Sequence, residues 1–419
     1  MESELKHGFP NLRHLGVFLE VIETSSITKA AQNCNLSQSA ATQALKQLEK
    51  DINAKLLSRG TSGFEPTPLG RRFAKRAALA LGHLDGGARH FWPTPRRAST
   101  GGAHRFNWPM TAAQLRSLIA ISNTGNISLA AQELGLSQPT VSRSIQALEE
   151  ATQTPLILNR ASGVRLSDAA EHLVKAAKLA RGELRQGQEE INHAKGGDNG
   201  TFVLGSLPLA RAQIVPHAIH KMIQDFPSVQ IRIVEGRYNE LLKSLREGDI
   251  DCLFGALRPN LAAPDVIQTP IFQDKLAIIA HPTHPLAKHP SVSLAQTLRY
   301  PWLAPPKDTP SGQHLFHSLK IDQLEQTPVR IVSSSMAVLR SILSQGDYIS
   351  IVSRHQINLE IQLGQICVLN VDLDDNERAI GLTRRKDWHP TEIQSRFIQF
   401  LHSCSTDLLD HALTDQHVP

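Results

Sequence analysis

The feature that most constrains this 419-residue chain is an internal repeat. Thr24, Ile27, Ala30-Ala31-Gln32, Leu36-Ser37-Gln38 and Leu48-Glu49 return, without a gap, as Thr124, Ile127, Ala130-Ala131-Gln132, Leu136-Ser137-Gln138 and Leu148-Glu149. With Leu15 and Leu115 this gives 11 identities between residues 11–50 and 111–150. A segment repeated at a fixed spacing must fold the same way twice. The remaining 220 residues hold no third copy, so the repeat is a duplicated module and not a solenoid.

Each copy shows the same order of elements. Leu15, Phe18, Leu19 and Ile22, and then Leu115, Leu118 and Ile119, fall on one face of a helix. A short helix follows through Ala30-Ala31 or Ala130-Ala131, where small side chains let two helices cross closely. A tight turn then leads to a third helix opened by Ser37 or Ser137 as N-cap. Leu45 and Leu48, or Ile145 and Leu148, pin that helix to the core. This is a helix-turn-helix pattern. The free face of the third helix carries Gln38, Ser39, Thr42, Gln43 and Lys46 in the first copy. In the second it carries Gln138, Pro139, Thr140, Ser142, Arg143 and Gln146. Glutamine can pair bidentately with adenine and arginine with guanine, so these faces, with the capping Ser37 and Ser137, are candidate readers of base edges.

Turn-rich stretches follow, Arg59-Gly60-Thr61-Ser62-Gly63-Phe64 and Arg160-Ala161-Ser162-Gly163-Val164-Arg165. Two short strands around a glycine turn would form a wing, whose Arg59 and Arg160 contact phosphate. Thr67-Pro68 and Ser167-Asp168 then cap further helices. The second of these can run from Asp168 to about His193, roughly 35–40 Å at ~1.5 Å per residue. Its stripe of Leu173, Ala176, Ala177, Ala180 and Leu184 is expected to be a dimerisation seam, with pairing of the two linker helices inside one chain as the alternative.

Charge divides unevenly. Residues 1–107 carry 15 Lys+Arg against 8 Asp+Glu, residues 108–199 carry 9 against 9, and residues 200–419 carry 20 against 22. The basic front, including Arg71, Arg72, Lys75 and Arg76 on its linker helix, predicts a polyanionic partner there. Cys34, Cys252, Cys367 and Cys404 are widely spaced, which argues against a disulfide framework and a cysteine zinc site. The opening MESELKHGFPNLRH has no apolar core, and no apolar run approaches the ~20 residues that span a bilayer, so a cytoplasmic protein without membrane contact is expected.

The stretch from Ala130 to Arg143, AAQELGLSQPTVSR, with Leu148-Glu149, resembles the DNA-binding signature of LysR-type transcriptional regulators. The first copy resembles it too, with Ser39 in place of proline and Gln43 in place of arginine. The rest of the chain is similar to that family's effector domain. Alternating short apolar strands and helices, beginning at Gly200-Thr201-Phe202-Val203-Leu204-Gly205-Ser206, independently argue a parallel α/β sheet. The expected class is therefore an α/β multidomain protein with two winged helix-turn-helix modules ahead of a periplasmic-binding-protein-like domain of two α/β subdomains. The expected boundaries are 8–85 for the first module with a short linker helix, 86–107 for a flexible linker, 108–166 for the second module, 167–195 for the dimerisation helix and 200–405 for the effector domain. The resemblance implies two crossovers, placed near Ile271 and Asp374.

Ligands of such sheets bind beyond the C-terminal strand ends. Ser206, Leu207, Arg211, Leu257, Thr309, Ser334 and Ser335 are therefore the candidate effector residues, the serines as donors and Arg211 as a carboxylate partner. The bland reading is helix caps and a solvated arginine. The Ser206-Leu207-Pro208-Leu209-Ala210-Arg211 exit and Trp388-His389-Pro390-Thr391 are similar to family members that answer to aromatic or other small carboxylates. Asp308-Thr309-Pro310-Ser311-Gly312 stands where the family often has an arginine, so it offers no second anchor.

His281, His284 and His289, and His314 with His317, are the only metal-like spacings, and the prolines around the first set make it a loop. No phosphate loop, dinucleotide fingerprint, nucleophile elbow or zinc-protease motif occurs, so neither enzyme chemistry nor a cofactor is expected. The expected function is effector-modulated binding to promoter DNA by a homodimer or homotetramer, with RNA polymerase as a further partner. The alternatives are a ligand-independent architectural DNA binder and a regulator in which only the second module reads DNA.

Overall fold

Short polar side chains open nearly every helix of the repeated front half. In a computed structural model, residues 9–61, 63–92, 109–159, 163–373 and 376–414 are described, side chains of residues 159, 211, 318 and 406–414 excepted. The first module comprises α1 (Leu12–Thr24), α2 (Ile27–Asn33), α3 (Gln38–Asp51), the strands β1 (Leu57–Gly60) and β2 (Gly63–Pro66), and α4 (Pro68–Ala88). The second repeats it as α5 (Ala112–Thr124), α6 (Ile127–Leu134), α7 (Gln138–Thr152), β3 (Ile157–Asn159), β4 (Arg165–Leu166) and α8 (Asp168–Ala194). Ser26 and Asn126 cap the second helix of each copy, Ser37 and Ser137 the third, Thr67 and Ser167 the fourth.

Two further repeated residues have structural work. Glu49 accepts from the N–H groups of Leu56 and Leu57 at 2.9 and 3.2 Å, and Glu149 from those of Leu156 and Ile157 at 2.8 and 3.1 Å. Each glutamate thereby fastens its own wing to its third helix. The wing tip is tied at the other end, because Phe64 N–H donates to Ser25 O at 2.9 Å and Val164 N–H to Gly125 O at 3.0 Å. Gly63 and Gly163 supply the positive φ, +126° and +111°, that this return requires.

The stripe expected to dimerise two copies is covered within the chain. α4 is not short; it is 21 residues long, and it packs antiparallel along α8. Ala77, Ala80, Leu81 and Leu84 of α4 and Leu173, Ala177, Ala180 and Leu184 of α8 belong to one core that runs through both modules. Gly86 and Gly87, assigned from sequence to a flexible linker, lie in α4, and Phe91 and Trp92 pack half-buried on the same core. Residues 93–108 of that expected linker lie outside the described residues. Arg76 is likewise not a surface charge: its guanidinium donates to Glu183, Gln186 and Glu190 of α8 at 2.8, 2.7 and 2.5 Å.

Residues 1–200 with 247–249 form one compact unit, and residues 201–246 with 250–419 form the other. The second contains β5 (Thr201–Ser206), α9 (Ile214–Asp225), β6 (Gln230–Val234), α10 (Tyr238–Glu247), β7 (Cys252–Ala256) and the long β8 (Val266–Ala280). It continues with α11 (Leu294–Thr297), β9 (Trp302–Ala304), α12 (Pro310–Gln313), β10 (Val329–Val332), α13 (Met336–Leu343) and β11 (Ile349–Ser353). It closes with α14 (Asn358–Gln362), β12 (Cys367–Val368), β13 (Glu377–Arg385) and α15 (Glu392–Thr414). The strand order is β10-β9-β11-β8-β13-β7-β5-β6, with β12 beside β8. β5 pairs parallel with β6 and β7, and β9 parallel with β10 and β11, so the sheet is two parallel halves joined by antiparallel strands. The join lies slightly later than expected: β8 pairs with β13 from Val266 to Lys275 and with β11 from Leu276 to Ala280, so Ile271 is inside a strand still belonging to the first half. Asp374, the other expected crossover, lies outside the described residues. Among the described residues no helix is long and apolar enough to cross a membrane.

Candidate nucleic-acid interface and effector cleft

The two third helices bury the same side and expose the same side. Ala41, Ala44, Leu45 and Leu48 of α3 and Val141, Ile145 and Leu148 of α7 are buried. Gln38, Ser39, Gln43 and Lys46 are exposed and Thr42 half-exposed, together lining one open concavity. On α7, Gln138, Pro139, Thr140, Arg143 and Gln146 are exposed and Ser142 half-exposed. Ser37 Oγ accepts from Ala40 N–H and Ser137 Oγ from Thr140 N–H, both at helix starts, where unpaired amides favour phosphate. The Thr42 hydroxyl donates back to Gln38 O at 2.8 Å, leaving its lone pairs outward. Arg59 is exposed on β1, as are Arg71, Arg72 and Lys75 on α4. Arg160 lies outside the described residues.

Within the second unit, the candidate effector residues stand at or shortly after strand ends in both halves of the sheet. Ser206 ends β5 and is fully buried; Leu207 N–H donates to Phe254 O at 3.0 Å and Leu257 N–H to Ala379 O at 2.9 Å. Thr309 caps α12, accepting from Gly312 N–H and donating to Pro306 O. Ser335 caps α13 through Val338 N–H, and Ser334 stands exposed beside it. The backbone of Arg211 ends a 3-10 turn, Pro208–Arg211, and its side chain is not described.

The two halves of the sheet meet through groups that sequence reasoning passed over. Asp274, fully buried on β8, accepts from Ser353 Oγ at 2.7 Å, from Arg378 Nε at 2.9 Å and lies 2.8 Å from His355 Nδ1. Burial alone would raise its pKa, yet His355, Arg378 and Ser353 together hold it below the ordinary carboxylate value. Arg378 reaches onward to Ser311 Oγ at 3.0 Å, and Asn358 Nδ2 donates to Gln213 Oε1 at 3.3 Å. Beside them, the Arg258 guanidinium stacks 4.3 Å over the Tyr238 ring, at the exits of β7 and β6. Arg258 Nη1 and Tyr238 Oη are buried and have no hydrogen-bond partner among the described residues. Burial lowers the Arg258 pKa, nearby Arg378 lowers it further, and Tyr238 and Asp308 oppose this. Burial also raises the pKa of Tyr238. Asp308 acts on this cation only at a distance, and its Nη1 is left free to pair. The signal in the sequence was slight: Arg258 adjoins Leu257, which the strand-exit rule selects, and a lone Arg there reads as solvated.

Paired winged helix-turn-helix heads followed by a two-lobed α/β ligand domain define a DNA-binding regulator that answers to a small molecule. Comparison with known sequences agrees. The bacterial regulatory helix-turn-helix protein, lysR family, matches twice, at residues 12–71 and 112–171, and the LysR substrate binding domain matches residues 195–404. The chain belongs to the LysR family of transcriptional regulators.

Among curated relatives, the HTH-type transcriptional regulator GalR of Pseudomonas putida is 29% identical over 376 residues, 90% of this chain and 92% of its own length. Residues 108–419 number only 312, so that likeness extends into the first module. The HTH-type transcriptional regulator PcaQ of Agrobacterium fabrum is 26% identical over 301 residues, 71% of this chain and 95% of its own. The fold is similar to that of full-length OxyR from Pseudomonas aeruginosa, with a TM-score of 0.53 at 20% identity, covering 70% of this chain and 98% of that one.

Proposed function

We propose that this LysR-type regulator touches promoter DNA with both modules and is switched by a small carboxylate, aliphatic or aromatic, held at the strand exits of the effector domain. The observation that carries the ligand class is Arg258, a half-buried cation with an unpaired Nη1 stacked on Tyr238. A carboxylate there would complete a charge-assisted pair, with Ser206, Leu207, Leu257, Thr309, Ser334, Ser335 and Arg211 as the surrounding candidates. Lys46, Arg59, Arg71, Arg72 and Lys75 would supply phosphate affinity, and α3 and α7 the base contacts. The reading carries with it a cytoplasmic, non-enzymatic protein working beside RNA polymerase, and homo-oligomers formed through surfaces other than the covered α4–α8 seam.

The test is a thermal-shift screen of the full chain against a panel of small carboxylates, followed by footprinting with the best of them. Wild type should be stabilised and change its footprint, whereas Arg258→Gln should lose both responses and keep its ligand-free footprint. No stabilisation by any carboxylate, or an Arg258→Gln response equal to wild type, would sink the ligand assignment.

A further inference from the structure

The seam between the linker helices has a two-fold character that can be read contact by contact. A Cβ placed on Gly87 would lie 2.5 Å from Ala176 Cβ and 3.6 Å from Leu173 Cα. One placed on Gly187 would lie 3.0 Å from Arg76 Cβ and 3.1 Å from Phe73 Cδ2. Shifting each residue by the repeat spacing of one hundred turns the first set of contacts into the second. The two modules of one chain are therefore arranged as the two members of a symmetric pair are, about a point near Leu81 and Arg181.

The chemistry of the seam is not symmetric, and this decides its partner. Arg76 is met by Glu183, Gln186 and Glu190, whereas the same spacing puts His83 and Gly86 in α4, His90 just past its end, and Ala176 in α8. By the same spacing an α4–α4 pair would set Arg76 against His83, Gly86 and His90, and an α8–α8 pair would set Glu183, Gln186 and Glu190 against Ala176, so neither reproduces the Arg76 ion pairs. Unpaired buried charge is strongly disfavoured, so the unlike pair is selected. α8 also grips the body of the first module, Gln188 Nε2 donating to Ile52 O at 3.1 Å and Lys195 Nζ to Asn53 O.

We infer that a single chain is a complete two-headed reader, whose DNA site consists of two unlike half-sites in fixed order. This rests on the reading that both modules touch DNA. The heads differ where they would meet bases: Ser39 against Pro139, Thr42 against Ser142, Gln43 against Arg143 and Lys46 against Gln146. Arg143 suits guanine, and Gln43 suits adenine. A site for such a pair has no dyad, so the chain binds it in one orientation only.

The experiment is selection of duplexes from a randomised pool by the full-length chain, repeated with Gln43→Ala and with Arg143→Ala, both changes on exposed side chains. The expected result is a non-palindromic consensus, with Arg143→Ala relaxing one end and Gln43→Ala the other. Replacing one half-site by an inverted copy of its neighbour should weaken binding about tenfold or more. With duplex in excess, the protein should saturate at one duplex per chain. A palindromic consensus relaxed at both ends by Arg143→Ala and untouched by Gln43→Ala, or one duplex per two chains, overturns the inference while leaving a DNA-binding regulator. A pool that acquires no consensus overturns the DNA reading itself and this inference with it.

Discussion

Replacing Arg76 by Ala tests the seam most directly. The Arg76 and Glu183 side chains are 5% and 6% exposed, and Glu190 is 19% exposed. Burial opposes charge on the guanidinium, but its hydrogen bonds to Glu190 and Glu183 outweigh that and hold the Arg76 pKa above the usual value. Arg76→Ala removes the cation and leaves two mostly buried carboxylates and the Gln186 amide oxygen without their donor. Truncating one partner of a buried pair costs about 3–5 kcal/mol, the same range in which α4 and α8 should then open more readily. At about 1.4 kcal/mol per tenfold, that is roughly two to three and a half powers of ten in the opening equilibrium. Hydrogen exchange of the full chain, followed by mass spectrometry, resolves α4 and α8 from the effector domain. Amide protection in both helices should fall by about that factor, and β5 and β7 should be unaffected. The combined change Arg76→Met, Glu183→Leu, Glu190→Met should restore most of the protection, since apolar replacement of a whole buried pair is often neutral. A loss below about fivefold with Arg76→Ala, near 1 kcal/mol, would show that the seam does not depend on this network.

Other expectations concern the two units separately. Because the folded pKa of Asp274 is depressed, its contribution to stability is full above the unfolded value of about 3.9 and is lost as pH falls towards the folded value. Asp274→Asn should therefore lower the effector-domain transition at neutral pH and flatten its acid limb in calorimetry; an unchanged acid limb would contradict this. Ser37→Ala and Ser137→Ala should each cost about 1 kcal/mol through loss of the cap on a third helix, read as a drop in Tm. Gly63→Ala should be worse than Gly163→Ala, since a Cβ at 63 would sit 2.3 Å from Ser25 O while the nearest atom to one at 163 is Gly125 O at 4.0 Å. Equal Tm losses for the two would show that φ alone governs the wing turn.

What could be read from the residues was whatever is local. Ser37, Ser137, Thr67 and Ser167 announce helix starts because a cap needs only the next three residues. The wings and the alternating α/β elements are local too, and the strand-exit rule selects Ser206, Leu257 and Ser334 as candidates from position alone. The partner of the apolar stripe on α8 was not local: periodicity says that Leu173 and Ala180 are covered, never by which helix. Arg76 could not be told from its neighbours Arg71, Arg72 and Lys75, since its acids lie 107 to 114 residues away. Asp274, inside an otherwise strand-like run, and Arg258 owe their roles to side chains from distant segments, and spacing carries no trace of that.

Covalent pairing of the heads changes what controls them. In a regulator whose heads come from separate chains, pairing competes with dilution and is inseparable from protomer concentration. Here the partner helix is tethered, so the second contact is intramolecular and the head persists at any concentration at which the fold does. That gain would be lost if α4 or α8 of different chains could pair with themselves, because like pairs would then link molecules into mixed assemblies. Arg76 on one helix and Glu183 and Glu190 on the other remove that option, each like pair being penalised by buried charge. The differences between the two copies at these few seam positions thus favour the unlike pair over either like one. Once the seam is exclusive, α3 and α7 no longer need to match, because the two-fold relation joins two different segments of one chain and not two copies of the same segment. The difference between Gln43 and Arg143 is compatible with a seam that holds two unlike modules together, and on the inference above it lets the pair read an asymmetric site.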